Sequence, residues 1–293
     1  MFGLTGCSTV KTAKPIDPEI NVIAAAANKA FAHGQVEQAA RQYTRALERA
    51  RAADATTDIA DQAYNLAACL LILDQPAQAR TLLREAQAEA QRVERRAVDI
   101  LLLEAKAARL AGQREEVLRQ VAALLAIKPV IEPAERLQAL LVKAMTFCDA
   151  EQVPSADQTE IRRLALEVSD PAIQAEVAHF LGTCDLIEKE FARAAAAFDR
   201  EAALRQNSGR FREMAQALAR AGAAYAHSEQ QALAADRLTR AARSLFAQGD
   251  SIGALHQIEP ALIAAKASKQ DELVTHVIAL FEEIKKTIPS TPR

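Results

Sequence analysis

The sequence is poor in the residues that strand-rich folds need. Aromatic residues make up 4% of the 293 residues, tryptophan is absent, and only 9 glycines and 10 prolines interrupt the chain. β-Sandwiches, barrels and doubly wound sheets require more turn residues and more β-branched or aromatic runs. Alanine, the strongest helix former, supplies much of the 50% hydrophobic content. The composition therefore predicts an all-α fold.

Long apolar runs and an excess of charge of one sign are also missing. No run of apolar residues reaches the length of a membrane-spanning helix. The 36 basic and 38 acidic residues nearly balance, which leaves a net charge of −2. This balance offers no general attraction for nucleic acid, and we expect no nucleic-acid partner.

A pattern of about forty residues repeats along the chain. In one copy a turn at Gly34 is followed by Ala39, Tyr43 and Ala46, and the same offsets recur in later copies. The predicted turns lie near positions 34, 74, 112, 151, 189, 229 and 269. Such a period is typical of helical repeat proteins.

This pattern resembles the tetratricopeptide repeat, in about seven copies. In that family a first helix (helix A) carries a Leu-Gly or Leu-Ala pair, and a second (helix B) shows a small, a large and a small residue at fixed spacing. Leu66-Ala67 and Leu181-Gly182 match the first signature. The resemblance implies a right-handed α-solenoid whose concave groove is lined by the A helices.

Several features depart from the family pattern. The period exceeds the usual 34 residues, so either the helices or the loops between repeats must be longer, and loops near 52–57 and 206–210 are candidates for the extra length. Pro76, Pro154 and Pro171 are expected in first helical turns, whereas Pro260 predicts a kink or break. The copies at 136–164 and 255–281 match poorly. HEAT-type repeats, which tolerate kinks, are the structural alternative.

The N-terminus resembles the lipobox of bacterial lipoproteins. Leu4-Thr5-Gly6 precedes Cys7, the residue that would be lipidated, and a short polar segment follows. Ser8 after the cysteine resembles the pattern that permits sorting to the outer membrane. Only three residues precede the box, too few for a signal peptide. Either the true start lies upstream, or Cys7 is an ordinary residue of a disordered tail. The predicted organisation is a lipobox-like start and tether at 1–17, a solenoid at 18–288 and a disordered tail at 289–293.

No motif for catalysis, a metal or a cofactor is present. The chain lacks GxxxxGK[ST], GxGxxG, GxSxG and HExxH. Cys69, Cys148 and Cys184 form no CxxC motif and are predicted to be buried apolar residues, although a single disulfide in an oxidising compartment stays open. We expect no catalytic residue, metal or cofactor.

The predicted groove mixes apolar and cationic side chains, which suits a helix or an extended segment of a partner protein. Its predicted residues are Asn28, Phe31, Tyr64, Leu71, Lys106, Arg109, His179, Thr183, Arg220 and His227. Alternatively, Phe31, Tyr64 and Leu71 simply pack between repeats.

Three functional hypotheses follow. The first is a non-catalytic scaffold of the bacterial cell envelope, anchored by lipid on the periplasmic side of the outer membrane and assisting assembly or export of a membrane complex. The second is a cytoplasmic adaptor or sensor that binds a peptide or small effector. The third, an enzyme with a site hidden by the repeats, has no motif in its favour.

Overall fold

The computed structural model describes residues 17–94, 97–127 and 131–287, and Cys7 with its lipobox lies outside them. In the described ranges, all regular secondary structure is α-helical, as predicted, and fourteen helices follow one another along the chain. The chain forms two compact units, Met1–Gln113 and Arg114–Arg293.

The first unit contains five helices whose inward faces form one apolar core. Small residues recur in this core, including Ala27 and Ala67, beside the larger Tyr43 and Leu83, all buried. The helices are α1 (Pro18–Ala32), α2 (Val36–Ala52), α3 (Thr56–Ile72), α4 (Pro76–Arg92) and α5 (Val98–Leu110). Consecutive helices pack against each other, which is the helix-pair arrangement that the repeat predicts.

The second unit contains nine helices. They are α6 (Arg114–Leu125), α7 (Pro133–Cys148), α8 (Ser155–Leu164), α9 (Pro171–Ile187), α10 (Phe191–Asn207), α11 (Phe211–His227), α12 (Gln231–Ala247), α13 (Ser251–Ser268) and α14 (Asp271–Thr287). From α9 onward each helix packs on the next, so each unit is by itself an all-α stack of helix pairs of the solenoid type.

All seven predicted turns lie where the chain reverses. Each contains a residue with positive φ, at Gly34, Asp74, Gly112, Glu151, Lys189, Glu229 and Lys269. Four turns between pairs in the described ranges also have a left-handed residue, at Asp54, Glu94, Gly209 and Gly249, whereas the connection from α8 to α9 has none. The next amide then donates to the carbonyl five residues back, as from Arg210 to Arg205 at 2.9 Å. This Schellman geometry satisfies a helix end within three residues.

The extra length of the repeat therefore lies in the helices. Most helices have 17 residues, and the loops near 52–57 and 206–210 contain only the three residues of a turn. The expectation of longer loops was wrong, because a left-handed residue reverses the chain without additional residues.

The prolines occupy the expected positions with two differences. Pro76 and Pro171 begin α4 and α9, whereas Pro154 precedes the first residue of α8. No break occurs at Pro260, since α13 continues through it from Ser251 to Ser268. Packing of buried Ala254, Ile258 and Ala261 on the neighbouring helices offsets the loss of one backbone hydrogen bond.

Close packing follows the small-large rule of the repeat. A Cβ atom at Gly182 would lie 2.8 Å from the ring of Phe198, and one at Gly222 would lie 2.6 Å from Cγ of Leu238. At both distances a Cβ atom would force the neighbouring side chain to shift. The pairs α9/α10 and α11/α12 thus approach closely where helix A carries glycine.

Candidate functional site

The predicted groove residues of the second unit lie on the A helices α9 and α11. His179, Thr183 and Arg220 are half-buried, while His227 is exposed. Helical spacing places Glu176, three residues before His179, on the same face of α9. It also places Gln216, four residues before Arg220, on the same face of α11. These faces are the part of each A helix that its neighbours leave partly open.

Glu201 joins two of these residues into one cluster. It lies on α10 with 2% of its surface exposed. Its Oε2 accepts from Nη2 of Arg220 at 3.0 Å and lies 3.2 Å from Nδ1 of His179. Its Oε1 accepts from the same Arg220 nitrogen at 3.0 Å and lies 3.9 Å from Nε of Arg205. One carboxylate therefore holds side chains from α9, α10 and α11. We call these four residues the Glu201 cluster.

Phe198 forms the apolar floor of the cluster. Its ring is fully buried, and Gly182 on α9 permits its close approach. The guanidinium carbon of Arg220 lies 5.4 Å from the centre of this ring, and the ring of His179 lies 6.1 Å from it. The cation–π contact and the carboxylate together restrict Arg220 to one position at the surface.

The electrostatics of the cluster favour a charged Glu201. Burial alone would raise the pKa of this carboxyl, but the hydrogen bonds and charges of His179 and Arg220 outweigh burial and lower it. Burial, together with the charge of Arg210, lowers the pKa of Arg205. Two guanidinium groups and an imidazole thus surround one carboxylate.

Part of the donor capacity in the cluster is unused. Nε and Nη1 of Arg205 and Nε of Arg220 are buried and make no hydrogen bond within the described part of the chain. A carboxylate can accept from two guanidinium nitrogens at once. With about one-third of its side chain exposed, Arg220 is the member that an acidic group outside the fold can reach.

Two further predicted residues behave differently. The Thr183 hydroxyl donates to the carbonyl of His179 at 2.9 Å, within its own helix. The exposed ring of His227 stacks on Phe191, with the ring centres 4.9 Å apart. Thr183 thus contacts the Glu201 cluster through the main chain of His179, and both Thr183 and His227 lie on the same A helices as the cluster.

The predicted groove residues of the first unit are spread over α1, α3 and α5. Asn28 accepts from the hydroxyl of Tyr43, which links the two helices of the first pair. Tyr64 and Leu71 are half-buried and pack against the core, as the packing alternative expects, whereas Phe31 is 37% exposed. Lys106 and Arg109 on α5 are half-buried.

Sequence reasoning missed Glu201 and Arg205. Both occur on α10 among residues with helical spacing that face the core, next to Ala194, Phe198 and Ala202. Charged residues on the buried face of an amphipathic helix require partners. That mismatch between charge and position was the signal available in the sequence.

Two further observations on the described ranges concern metal ions and membranes. No group of three or more histidine, cysteine or acidic residues there is arranged to hold a metal ion. None of the described helices combines the length and apolar character that a bilayer crossing requires.

Comparisons with known proteins rest on structure alone. No protein-family model and no curated protein sequence matches the chain. A Rap protein complexed with Competence and Sporulation Factor is similar over 92% of this chain and 98% of its own, with a TM-score of 0.54 and 12% identity.

Two other solved structures are similar over most of their length. A tetratricopeptide repeat protein from Parabacteroides merdae covers 91% of this chain and 100% of its own, with a TM-score of 0.43 and 13% identity. The C-terminal part of a repeat-containing protein from Cytophaga hutchinsonii covers 89% and 95%, with a TM-score of 0.43 and 13% identity. With the repeat pattern and the helix pairs described above, the similarity to the Rap protein establishes that this chain has the tetratricopeptide-repeat fold.

Proposed function

We propose that the chain is a non-catalytic scaffold that binds a peptide segment of a partner protein on the exposed faces of its A helices. The observation that carries this proposal is the Glu201 cluster. A buried carboxylate fixes Arg220 and His179 at a partly open surface, where the Arg220 side chain stays accessible. Such preorganisation lowers the entropy cost of binding.

The charge of the cluster suggests what the peptide presents. The Arg220 side chain is about one-third exposed, and the surrounding surface includes the half-buried Thr183 and the exposed His227. An acidic side chain or a terminal carboxylate of the peptide suits this combination, because it would pair with Arg220 while the chain follows the A helices. The Rap structure, which contains a peptide factor on the same fold, supports the peptide class in general.

Selection of peptides would test the proposal. A phage-displayed random peptide library is panned against the full chain, and the dissociation constants of enriched peptides are measured by calorimetry. We expect the enriched sequences to contain acidic residues, and Arg220→Ala to weaken their binding at least about tenfold, as expected for a charge-assisted pair.

The matched control is Arg240→Ala, which removes an exposed arginine from the helix B α12. We expect unchanged binding in this variant. Enriched peptides that bind both variants equally would contradict the assignment of the site, and a library that yields no binder would contradict the peptide function itself.

We also propose that the scaffold belongs to the bacterial cell envelope and is anchored by lipid at Cys7. The proposal rests on Leu4-Thr5-Gly6-Cys7 and the polar residues that follow. In this role it would assist assembly or export of a membrane complex from the periplasmic side of the outer membrane. Stable anchoring requires more than one acyl chain, which lipoprotein processing supplies.

Labelling of bacterial cells with a palmitate probe tests the anchor. The gene is expressed with its upstream coding region, and the label is compared between the natural chain and Cys7→Ala. A labelled membrane fraction that loses its label in the variant is the expected result. An unlabelled protein in the soluble fraction would favour the cytoplasmic adaptor instead.

A further inference from the structure

Two buried thiols of the second unit are in contact. The Sγ atoms of Cys148 and Cys184 lie 3.9 Å apart, and the two residues are 6% and 0% exposed. Cys148 is the last residue of α7, and Cys184 lies in the last turn of α9. The two cysteines are thus the ends of a segment that includes all of α8.

The contact arises because α8 is short. It has 10 residues and buries only Ile161 and Leu164, whereas α10 has 17 residues and buries six. The A helices α7 and α9 consequently pack on each other through one apolar cluster that contains both sulfurs. Side chains of Leu141, Met145 and Phe180 belong to the same cluster and exclude water from the pair.

We propose that Cys148 and Cys184 are a disulfide-forming pair that ties α7 to α9 in an oxidising environment. A disulfide requires an S–S distance of about 2.05 Å, so the two sulfurs, which lie 3.9 Å apart, must approach by less than 2 Å. The pair is independent of the peptide site, and the inference does not rest on the proposed function.

The reaction with a small organic disulfide is balanced. A thiolate of one cysteine attacks glutathione disulfide, forms a mixed disulfide and releases one glutathione thiolate, which takes up a proton. The second cysteine, as thiolate, then displaces the other glutathione and forms the Cys148–Cys184 bond. Two protein thiols are oxidised and one glutathione disulfide is reduced to two glutathiones.

The structure also indicates when the bond forms. The hydrogen bond with Cys148, together with burial, raises the pKa of Cys184, so its reactive thiolate is scarce in the folded chain. We therefore expect the bond to form while the chain folds or when α8 opens, rather than by direct attack on the closed unit.

Refolding with mass spectrometry tests the pair. The full chain is unfolded with reductant and refolded in a buffer of reduced and oxidised glutathione, and remaining thiols are alkylated with iodoacetamide. Trypsin cleavage after lysine and arginine places the two cysteines in separate peptides, 144–162 and 164–189, with Cys69 in 52–80 and Cys7 in 1–11. We expect the first two peptides to be linked, with a loss of two hydrogens.

The melting temperature provides a second readout. The bridge closes a loop of 35 intervening residues, and we expect oxidised protein to melt about 5–10 °C above reduced protein. The matched control Cys69→Ser should give the same linked peptides and the same shift. Cys148→Ser should lose both.

Several results would overturn the proposal. They are alkylation of both cysteines after oxidative refolding, mixed disulfides with glutathione alone, and a main linkage through Cys69 or Cys7. A bridged protein that melts below the reduced one would show that the fold does not accommodate the bond. The primary readout uses the natural chain, so a variant that fails to fold leaves the test intact.

Discussion

Residues 131–170 and 171–270 of the second unit follow the same repeat with different regularity. In the longer segment, left-handed turn residues occur every twenty positions, at Lys189, Gly209, Glu229, Gly249 and Lys269. In the shorter segment α8 is only 10 residues long and Pro171 begins the next helix. The comparison shows that a constant interval between turns keeps each helix long enough to bury a full face.

The packing partners differ in the same way. Nine positions after the turn residue, the regular pairs have the large apolar Phe198 and Leu238, each next to a glycine of helix A. The corresponding position after Glu151 is Glu160, which forms ion pairs with Arg136 and Arg163. The helix B of the short repeat thus buries only Ile161 and Leu164, and the neighbouring A helices contact each other.

The largest expected effect concerns the apolar centres of the two segments. We expect Phe198→Ala to lower the free energy of unfolding by about 3–5 kcal/mol, because it removes a fully buried ring. Ile161→Ala should cost less in global unfolding, since α8 buries only two side chains and opens locally. Urea unfolding and amide hydrogen exchange measure the two effects. Equal losses in global stability would show that the short repeat is as well anchored as the regular ones.

The next effect separates buried charge from exposed charge. Glu201→Gln should cost about 3 kcal/mol, because breaking a buried pair leaves the opposing charges uncompensated, and the partial exposure of Arg220 and His179 keeps the loss at the lower end. Glu160→Gln, on the more exposed pair of the short repeat, should cost much less, because solvent screens that pair.

The pH dependence provides a check on the same residue. The folded-state pKa of Glu201 is lowered, so its contribution to stability is present above the unfolded pKa of about 4.5. It is lost as the pH falls through the lower folded value. The free energy of unfolding, measured from urea unfolding curves between pH 7 and pH 3, should fall less steeply with decreasing pH for Glu201→Gln than for the natural chain. A parallel fall in both proteins would contradict the charge assignment.

A smaller effect tests the fit between glycine and its partner. We expect Gly222→Ala to lower the free energy of unfolding by about 1–2 kcal/mol, because the new methyl group overpacks against Leu238. This loss is expected even though alanine is favoured over glycine within a helix by about 1 kcal/mol. The cost should fall in a Leu238→Ala background, where the contact is removed. Ala223→Gly, at the exposed neighbouring position, is the control for helix propensity alone. Its loss of stability should be the same in the natural chain and in the Leu238→Ala background.

The smallest effect concerns the turns, which both segments share. Glu229→Gly and Glu151→Gly should each raise stability by up to about 1 kcal/mol, since a side chain at positive φ is strained. Gly209→Ala should lower it by a similar amount. Thermal unfolding of the three variants measures these shifts. A loss of stability in Glu151→Gly alone would reveal a contact of that side chain in the short repeat.

The fold was predictable from the sequence because small residues and turns recur at regular intervals. The turn positions from Gly34 to Lys269 are confirmed, and the three cysteines of the described ranges are buried as expected. Helix lengths were less predictable, since a Schellman turn ending in aspartate, glutamate or lysine has no clear sequence signal. The passage of α13 through Pro260 depends on tertiary packing, which a local pattern does not contain.

The candidate site was predictable only in part. His179 and Arg220 were identified from their positions on helix A, but the residue that joins them is Glu201 on helix B. Glu201 lies 22 residues from His179 and 19 residues from Arg220 in sequence. Pairing over such separations depends on how two helices face each other. The thiol contact between Cys148 and Cys184 depends on the short α8 in the same way.

The matching turns at the two ends of the pair α11/α12 have an evolutionary consequence. Arg210 and Asp250 both precede a helix A and both donate their amide into the preceding turn. Removal or duplication of the forty residues between them would therefore join one such connection to another of the same shape. A gene built this way can lengthen or shorten its product by whole pairs while every junction stays intact.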